Sequence, residues 1–383
     1  MKHFPIIFCL ALTACQPAQR HPVESLPTLP MQATVSPTQT PAPTESIPSA
    51  EIPLPPPGSL YHGAYPGGVS GSESKLTIDD LRSYESAAGK SAAWVFFSDN
   101  WFESRAFPLE TVTWIREAGS IPYIRLMLRS SEEQGIAEPV YFLQAILDGE
   151  FDTDLKNWCA SARNFGIPIL AEYGTEVNGD WFSWSGVWNG ADETAGYGDP
   201  NEADGPERFR DAYRHIIDVC RAAGAENIAW VFHLNAGDWP QEDWNRFENY
   251  YPGDDWIDWV GISFYGAQTP QADDWEEFRD GMDEVYPRVD ALTSGKPIII
   301  AEFGVTKNNP LGDQAEWARA ALEDITSFRW QRVIGFSWWN DIWQNDDDPA
   351  HDTTMRLQDN PQLSAVFQEL AGANEMVLGR IHP

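Results

Sequence analysis

Positive charge is what this chain has least of. Its 383 residues carry 25 Lys+Arg against 58 Asp+Glu, for a formal charge of -33. So acidic a surface repels nucleic acid and anionic membranes at contact range, and neither is expected as a partner. Long hydrophobic runs are missing too. Beyond the N-terminus no stretch of about 20 apolar residues occurs, so no membrane-spanning helix is expected. Cysteine is sparse, four in all, and none stands at metal-ligand spacing. No Gly-x-Gly-x-x-Gly turn follows the first strand pattern, no phosphate loop is present, and there are no internal repeats.

What is abundant is aromatic. The 42% hydrophobic content is enough for a sizeable core, yet 18 Trp exceed what an ordinary core uses, and the surplus needs a place.

The N-terminus reads as an export signal. Lys2 precedes an apolar run from Phe4 to Leu12 and then Leu12-Thr13-Ala14-Cys15, a segment too short to span a bilayer. It is similar to a bacterial lipoprotein signal over residues 1–15, with Cys15 as the lipid-bearing residue. The protein is then expected outside the cytoplasm, anchored rather than spanning. Residues 16–57 hold 12 of the 29 prolines and are expected to form a stiff tether that packs against nothing. Residues 58–383 are expected to fold as a single domain.

From Gly58 onward, apolar runs alternate with amphipathic segments. Strands are expected at Tyr61–Tyr65, Ala93–Phe97, Ile121–Leu126, Ile167–Tyr173, Ile228–Phe232, Trp259–Ser263, Pro297–Ala301 and Val333–Trp338. Helices are expected at Thr77–Ala88, Leu109–Ala118, Phe151–Asn164, Glu207–Ala223, Trp275–Leu292 and Gln314–Ser327. Gly119, Gly166, Gly224 and Gly295 each stand between a helix and a strand, where a C-terminal stop belongs. Eight strands alternating with helices indicate an α/β fold of the (β/α)8 TIM-barrel type, whose chemistry lies where the strands end.

Two of those ends carry a carboxylate. The fourth strand runs into Glu176, within a cluster holding Trp181, Phe182 and Trp184, and the seventh ends in Ile300-Ala301-Glu302-Phe303-Gly304. Two carboxylates across one cleft are what glycosidic cleavage requires. One protonates the leaving oxygen, and a partner roughly 5–5.5 Å away attacks with retention. Sugar rings stack on indole, so Trp181, Trp184, Trp188, Trp239, Trp338, Trp339 and Trp343 are expected as platforms, with Trp94, Trp114 and Trp230 left to the core.

Three stretches carry a resemblance. Glu176-Val177-Asn178-Gly179-Asp180-Trp181-Phe182, Tyr251-Pro252-Gly253-Asp254 with Asp258-Trp259-Val260-Gly261, and Ile300-Ala301-Glu302-Phe303-Gly304 resemble glycoside hydrolase family 26. That family belongs to a clan of retaining (β/α)8 enzymes, and its members are mostly endo-β-1,4-mannanases, with lichenases and β-1,3-xylanases as minorities. The resemblance implies Glu176 as acid/base and Glu302 as nucleophile. It places Trp181 beside the catalytic subsites, Tyr265 against the nucleophile and Trp339 under the scissile sugar. Asn178, Thr175, Trp184 and His233 are taken as further substrate contacts. The implied partner is a polysaccharide, most readily β-1,4-mannan, cleaved by a monomer without cofactor or metal.

The departures from that pattern bear on substrate. Mannanases of the family usually place His directly before the acid/base and Arg a turn of strand earlier, and here those positions hold Thr175 and Glu172. An Asp two residues before the tyrosine is replaced by Ser263. Thr175 is expected to read the C2 hydroxyl less sharply than an imidazole would. The run Asn345-Asp346-Asp347-Asp348 with Asp352 lacks Gly-punctuated calcium spacing and reads as a solvated loop. Cys159 and Cys220 lie in neighbouring helical patterns, and either a disulfide or two buried thiols is open to them.

Overall fold

A computed structural model describes residues 51–68, 72–271 and 275–381. The signal with Cys15, and the tether up to residue 50, lie outside the described residues. Among the described residues no helix is long and apolar enough to cross a membrane.

Eight strands follow one another in chain order round one sheet, β1 (Leu60–Tyr65), β2 (Trp94–Asn100), β3 (Ile121–Met127), β4 (Ile169–Tyr173), β5 (Ile228–Asn235), β6 (Trp259–Tyr265), β7 (Ile298–Gly304) and β8 (Val333–Trp339), with the short strand Val377–Leu378 added beside β1. All neighbours run parallel, and β8 closes on β1 from Tyr61↔Gly335 to Tyr65↔Trp339. This closed ring with its helices is a (β/α)8 barrel. The helices are α1 (Ile78–Ala88), α2 (Leu109–Glu117), α3 (Leu143–Leu147), α4 (Asp152–Phe165), α5 (Asp204–Ala222), α6 (Phe247–Tyr250), α7 (Phe278–Leu292), α8 (Gln314–Thr326) and α9 (Pro361–Phe367). The pattern reading finds all eight strands but stops two or three residues short of the ends of β2, β5, β6 and β7. It misses α3, α6 and α9, which are too short to show a period.

Local chemistry sets the helix ends. Thr77 and Asp80 form a reciprocal capping box on α1, and the Asp313 carboxylate accepts two backbone N–H groups of α8. Gly166 ends α4 at φ +77°, where a side chain would be strained. Gly295 plays no such part, since α7 ends at Thr293 in extended backbone. Cys159 of α4 and Cys220 of α5 are joined in a disulfide, which settles the choice between a bridge and free thiols.

Side chains fill the barrel in layers. Near the N-terminal end the Trp94 indole lies against Trp259, with ring centroids 6.0 Å apart, and donates to Ser337 Oγ at 2.8 Å. One step up, Phe96 meets Tyr123 with centroids at 4.2 Å. The layer above is polar, and it is the mouth.

The folded body starts earlier than Gly58. Ile52 is 4% exposed, and the carbonyl of Pro53 accepts a hydrogen bond from the Tyr61 hydroxyl at 2.9 Å. These contacts fall inside the segment 16–57 expected as a tether, although Leu54 and residues 56–58 stay exposed.

Candidate active site

Glu176 follows β4 through Gly174 at φ +77°, and its own φ is +51°. This left-handed turn carries its carboxyl back over the barrel, where it is 8% exposed. Trp181 Nε1 donates to its Oε2 at 2.7 Å. Gly179 permits that approach, because a Cβ there would stand 2.2 Å from the Trp181 ring.

Glu302 comes from β7. Along β6–β7 the register passes from Ile262↔Ile300 to Ser263↔Glu302, so Ala301 is an extra residue. Such a bulge re-aims the side chain that follows it. The Tyr265 hydroxyl donates to Oε2 of Glu302 at 2.7 Å, while Oε1 accepts no hydrogen bond. Burial pushes the Glu302 carboxyl up to about 7, against the pull of the Arg125 guanidinium, and the Glu176 charge adds to the rise. The bare Oε1 is an oxygen free to attack carbon.

Behind them lies a buried polar cluster. Glu172 on β4 is 1% exposed. It accepts from Tyr123 OH at 2.6 Å and from the Thr175 hydroxyl, and it meets His233 Nδ1 at 2.9 Å. His233 Nε2 faces Ser263 Oγ at 2.7 Å. Burial opposes charge on both partners, but their mutual attraction wins. Glu172 is lowered from its ordinary range, helped by Arg125, and His233 is raised above its usual 6.5.

Several of the expected substrate contacts are engaged inside the protein. His233, with both nitrogens engaged and 0% exposure, is part of the buried cluster. Thr175 spends its hydroxyl on Glu172 and Arg125. The Asn178 amide bonds the backbone of Asn235 and Gly237 and the Asp238 carboxylate, pinning the β4 loop to the β5 loop. Trp184 is buried with its Nε1 on the Thr175 carbonyl at 2.8 Å, and Trp338 is buried with its Nε1 on the Met355 carbonyl. These two indoles are scaffold. Trp339 ends β8, stacked on Tyr65 with centroids 3.8 Å apart. Trp181 and Tyr265 stay partly open, and Trp239 is 54% exposed.

The sequence reading overlooks Arg125, the cation of the site, although a lone Arg within Ile121–Met127 was a visible signal. Buried charge in a barrel strand is costly unless paired. Among the described residues no group of three or more His, Cys, Asp or Glu is arranged for a metal ion. Asp346 instead contacts His351 Nδ1 at 2.7 Å.

Fold and site together define a (β/α)8 barrel with a carboxylate pair at the C-terminal mouth. Residues 140–285 match the model of glycosyl hydrolase family 26. Endoglucanase H of Acetivibrio thermocellus is 29% identical over 230 residues, 60% of this chain and 23% of that protein. The β-1,3-xylanase TXYA of a Vibrio species is 24% identical, over 42% of this chain and 28% of its own. A mannan endo-1,4-β-mannosidase of Bacillus subtilis is 24% identical, over 47% of this chain and 41% of its own. The chain spans less than half the length of each of these relatives. A solved Bacillus subtilis mannanase superposes with a TM-score of 0.54 at 18% identity, covering 85% of this chain and 92% of that one. A β-mannanase from Bacteroides ovatus gives 0.54 at 16% identity, covering 85% and 91%. These two likenesses speak for the fold. Over residues 140–285 the chain is similar to glycosyl hydrolase family 26.

Proposed function

We propose that the protein is a retaining endo-glycoside hydrolase acting on the backbone of a β-linked polysaccharide. The observation that carries this reading is the asymmetry of Glu302, with Oε2 tied to Tyr265 and Oε1 bare. A non-catalytic glycan binder has no use for such an oxygen. In the first step Oε1 bonds to the anomeric carbon, the glycosidic C–O bond breaks, and Glu176 gives its proton to the leaving oxygen. In the second, water bonds to that carbon, its proton goes to Glu176, and the ester electrons return to Oε1.

β-1,4-Mannan is the first substrate to test, on the family's prevailing activity. β-Glucan is the second reading, favoured by Thr175, Glu172 and Ser263, which lie in the buried cluster instead of offering the mannanase contacts. Reducing ends would be measured on mannan, galactomannan, lichenan, laminarin and β-1,3-xylan, with the product anomer followed by NMR. Glu302→Ala should abolish turnover. Glu176→Ala should keep activity on aryl glycosides with good leaving groups and be rescued by azide. Silence on every polymer, with no label on Glu302 from a 2-deoxy-2-fluoro glycoside, would overturn the reading.

Cys15 after a short apolar core and a Pro-rich tether supports a lipid-anchored, extracytoplasmic display of this domain. Incorporation of labelled palmitate, lost in Cys15→Ser, tests it.

A further inference from the structure

With Glu302 as nucleophile, the question becomes what holds its charge. Arg125 sits on β3 in register with Glu172 of β4, and its side chain is 3% exposed. Nη1 donates to Oε2 of Glu73 at 2.8 Å. Nε donates to Thr175 Oγ1 at 3.3 Å and lies 3.6 Å from Oε1 of Glu172. Nη2 lies 3.7 Å from Oε1 of Glu302. The guanidinium is also flanked by aromatic rings, 5.3 Å from the Trp339 centroid and 5.8 Å from that of Phe182.

Each contact does something different. Glu73 and Thr175 fix the plane by hydrogen bonds, and the rings hold it from the sides, as they would not hold a flexible ammonium. Glu172 already has His233 as a partner, so the Arg125 charge is not consumed there. At 3.7 Å Nη2 attracts Oε1 without hydrogen bonding it.

We propose that Arg125 is the positioning residue of the nucleophile, holding negative charge on Oε1 of Glu302 while leaving that oxygen's lone pair open for attack. The Thr175, Glu172, His233 and Ser263 cluster is the frame that keeps the guanidinium in place. The three departures from the mannanase pattern are then one coupled replacement built around a strand-three arginine. The role is most visible in the second step. There the bond from carbon to Oε1 breaks and the carboxylate regains its full charge opposite Nη2, so losing Arg125 slows release of the glycosyl-enzyme.

The charged and titratable groups facing Glu302 are Arg125 from β3, Glu176 beyond β4, His233 from β5 and Tyr265 from β6, with Glu73 and Glu172 behind Arg125. Removing the cation should therefore move the acid limb of kcat/KM to higher pH. The test compares wild type, Arg125→Lys, and Arg125→Met combined with Glu172→Gln, which removes both buried charges together. On an activated aryl glycoside the double variant should lose about 100-fold in kcat, with KM falling in parallel because glycosyl-enzyme accumulates, and show a burst. Its acid limb should rise by about one pH unit, while Arg125→Lys should hold the limb near wild type. A folded double variant with an unmoved limb and no burst overturns the proposal. If the double variant unfolds, Arg125→Lys decides: an unchanged kcat overturns the role, and a kcat and KM lowered together, with a burst, support it. A wild type that neither turns over nor becomes labelled at Glu302 defeats the hydrolase reading itself, and this assignment with it.

Discussion

Thr175, in the turn after β4, donates its hydroxyl proton to Oε1 of Glu172, three residues back on that strand. The residue expected to face the sugar thus faces the inside of the protein, and the chemistry of the mouth is set one layer deeper than the motif suggests.

One consequence concerns specificity. Thr175→His would force an imidazole into a site that is 1% exposed and already hydrogen-bonded. The variant should be destabilised by about 1–3 kcal/mol through overpacking, with no shift of kcat/KM toward mannan. Melting curves beside the substrate panel check both. A gain in mannan preference at unchanged stability would return Thr175 to the sugar.

Stability should depend on pH with a definite sign. His233 has a folded pKa above its ordinary 6.5, so its contribution is full below 6.5 and lost as pH rises through the folded value. Glu302 and Asp99 are each raised to about 7 by burial, so they too favour the protonated, lower-pH side. Glu172 acts oppositely, and its contribution is lost as pH falls below its ordinary 4.5. The domain should therefore melt higher near pH 5 than near pH 8. His233→Gln should destabilise the domain at pH 5 by about 1–3 kcal/mol, because a buried carboxylate loses one of its partners, and should flatten the decline above pH 6.5. A melting temperature that rises toward pH 8 would refute the assignment.

How much of this was legible follows from what each signal needs. Strands and long helices announce themselves by local pattern, and Glu302 stood out as a carboxylate after five apolar residues. Glu172 and Ser263 were visible only as departures, because Tyr123 and His233, which hold them, lie on other strands. His233 is 61 residues from Glu172, and no spacing rule joins them. Trp184 failed for another reason. A loop indole stacked inward and one offered to a sugar have the same sequence context, and only the Nε1 partner distinguishes them.

The N-terminal boundary can be tested by truncation. A chain beginning at Glu51 should melt like the longer protein. One beginning at Gly58 loses the burial of Ile52, which is 4% exposed, and should be less stable by about 1.5–3 kcal/mol. Equal melting temperatures would restore the boundary at Gly58.

The disulfide closes a separation of 61 residues. In the chain-entropy picture that constraint contributes about 4 kcal/mol. Cys159→Ala with Cys220→Ala should melt well below the oxidised protein, yet keep its kcat at 25 °C, since both sulfurs are buried between α4 and α5, away from the mouth. Equal melting temperatures would show that the bridge adds nothing.

The turn that delivers Glu176 places a carboxylate side chain at φ +51°, a backbone region that costs a non-glycine residue of order 1–3 kcal/mol. Heat tolerance and catalysis therefore pull this position in opposite directions. A population of variants screened for thermal survival alone should drift toward Gly or Asn at 176 and become hardier as it falls silent. Screening for turnover should hold the glutamate in place and force any stabilising changes to arise elsewhere in the barrel.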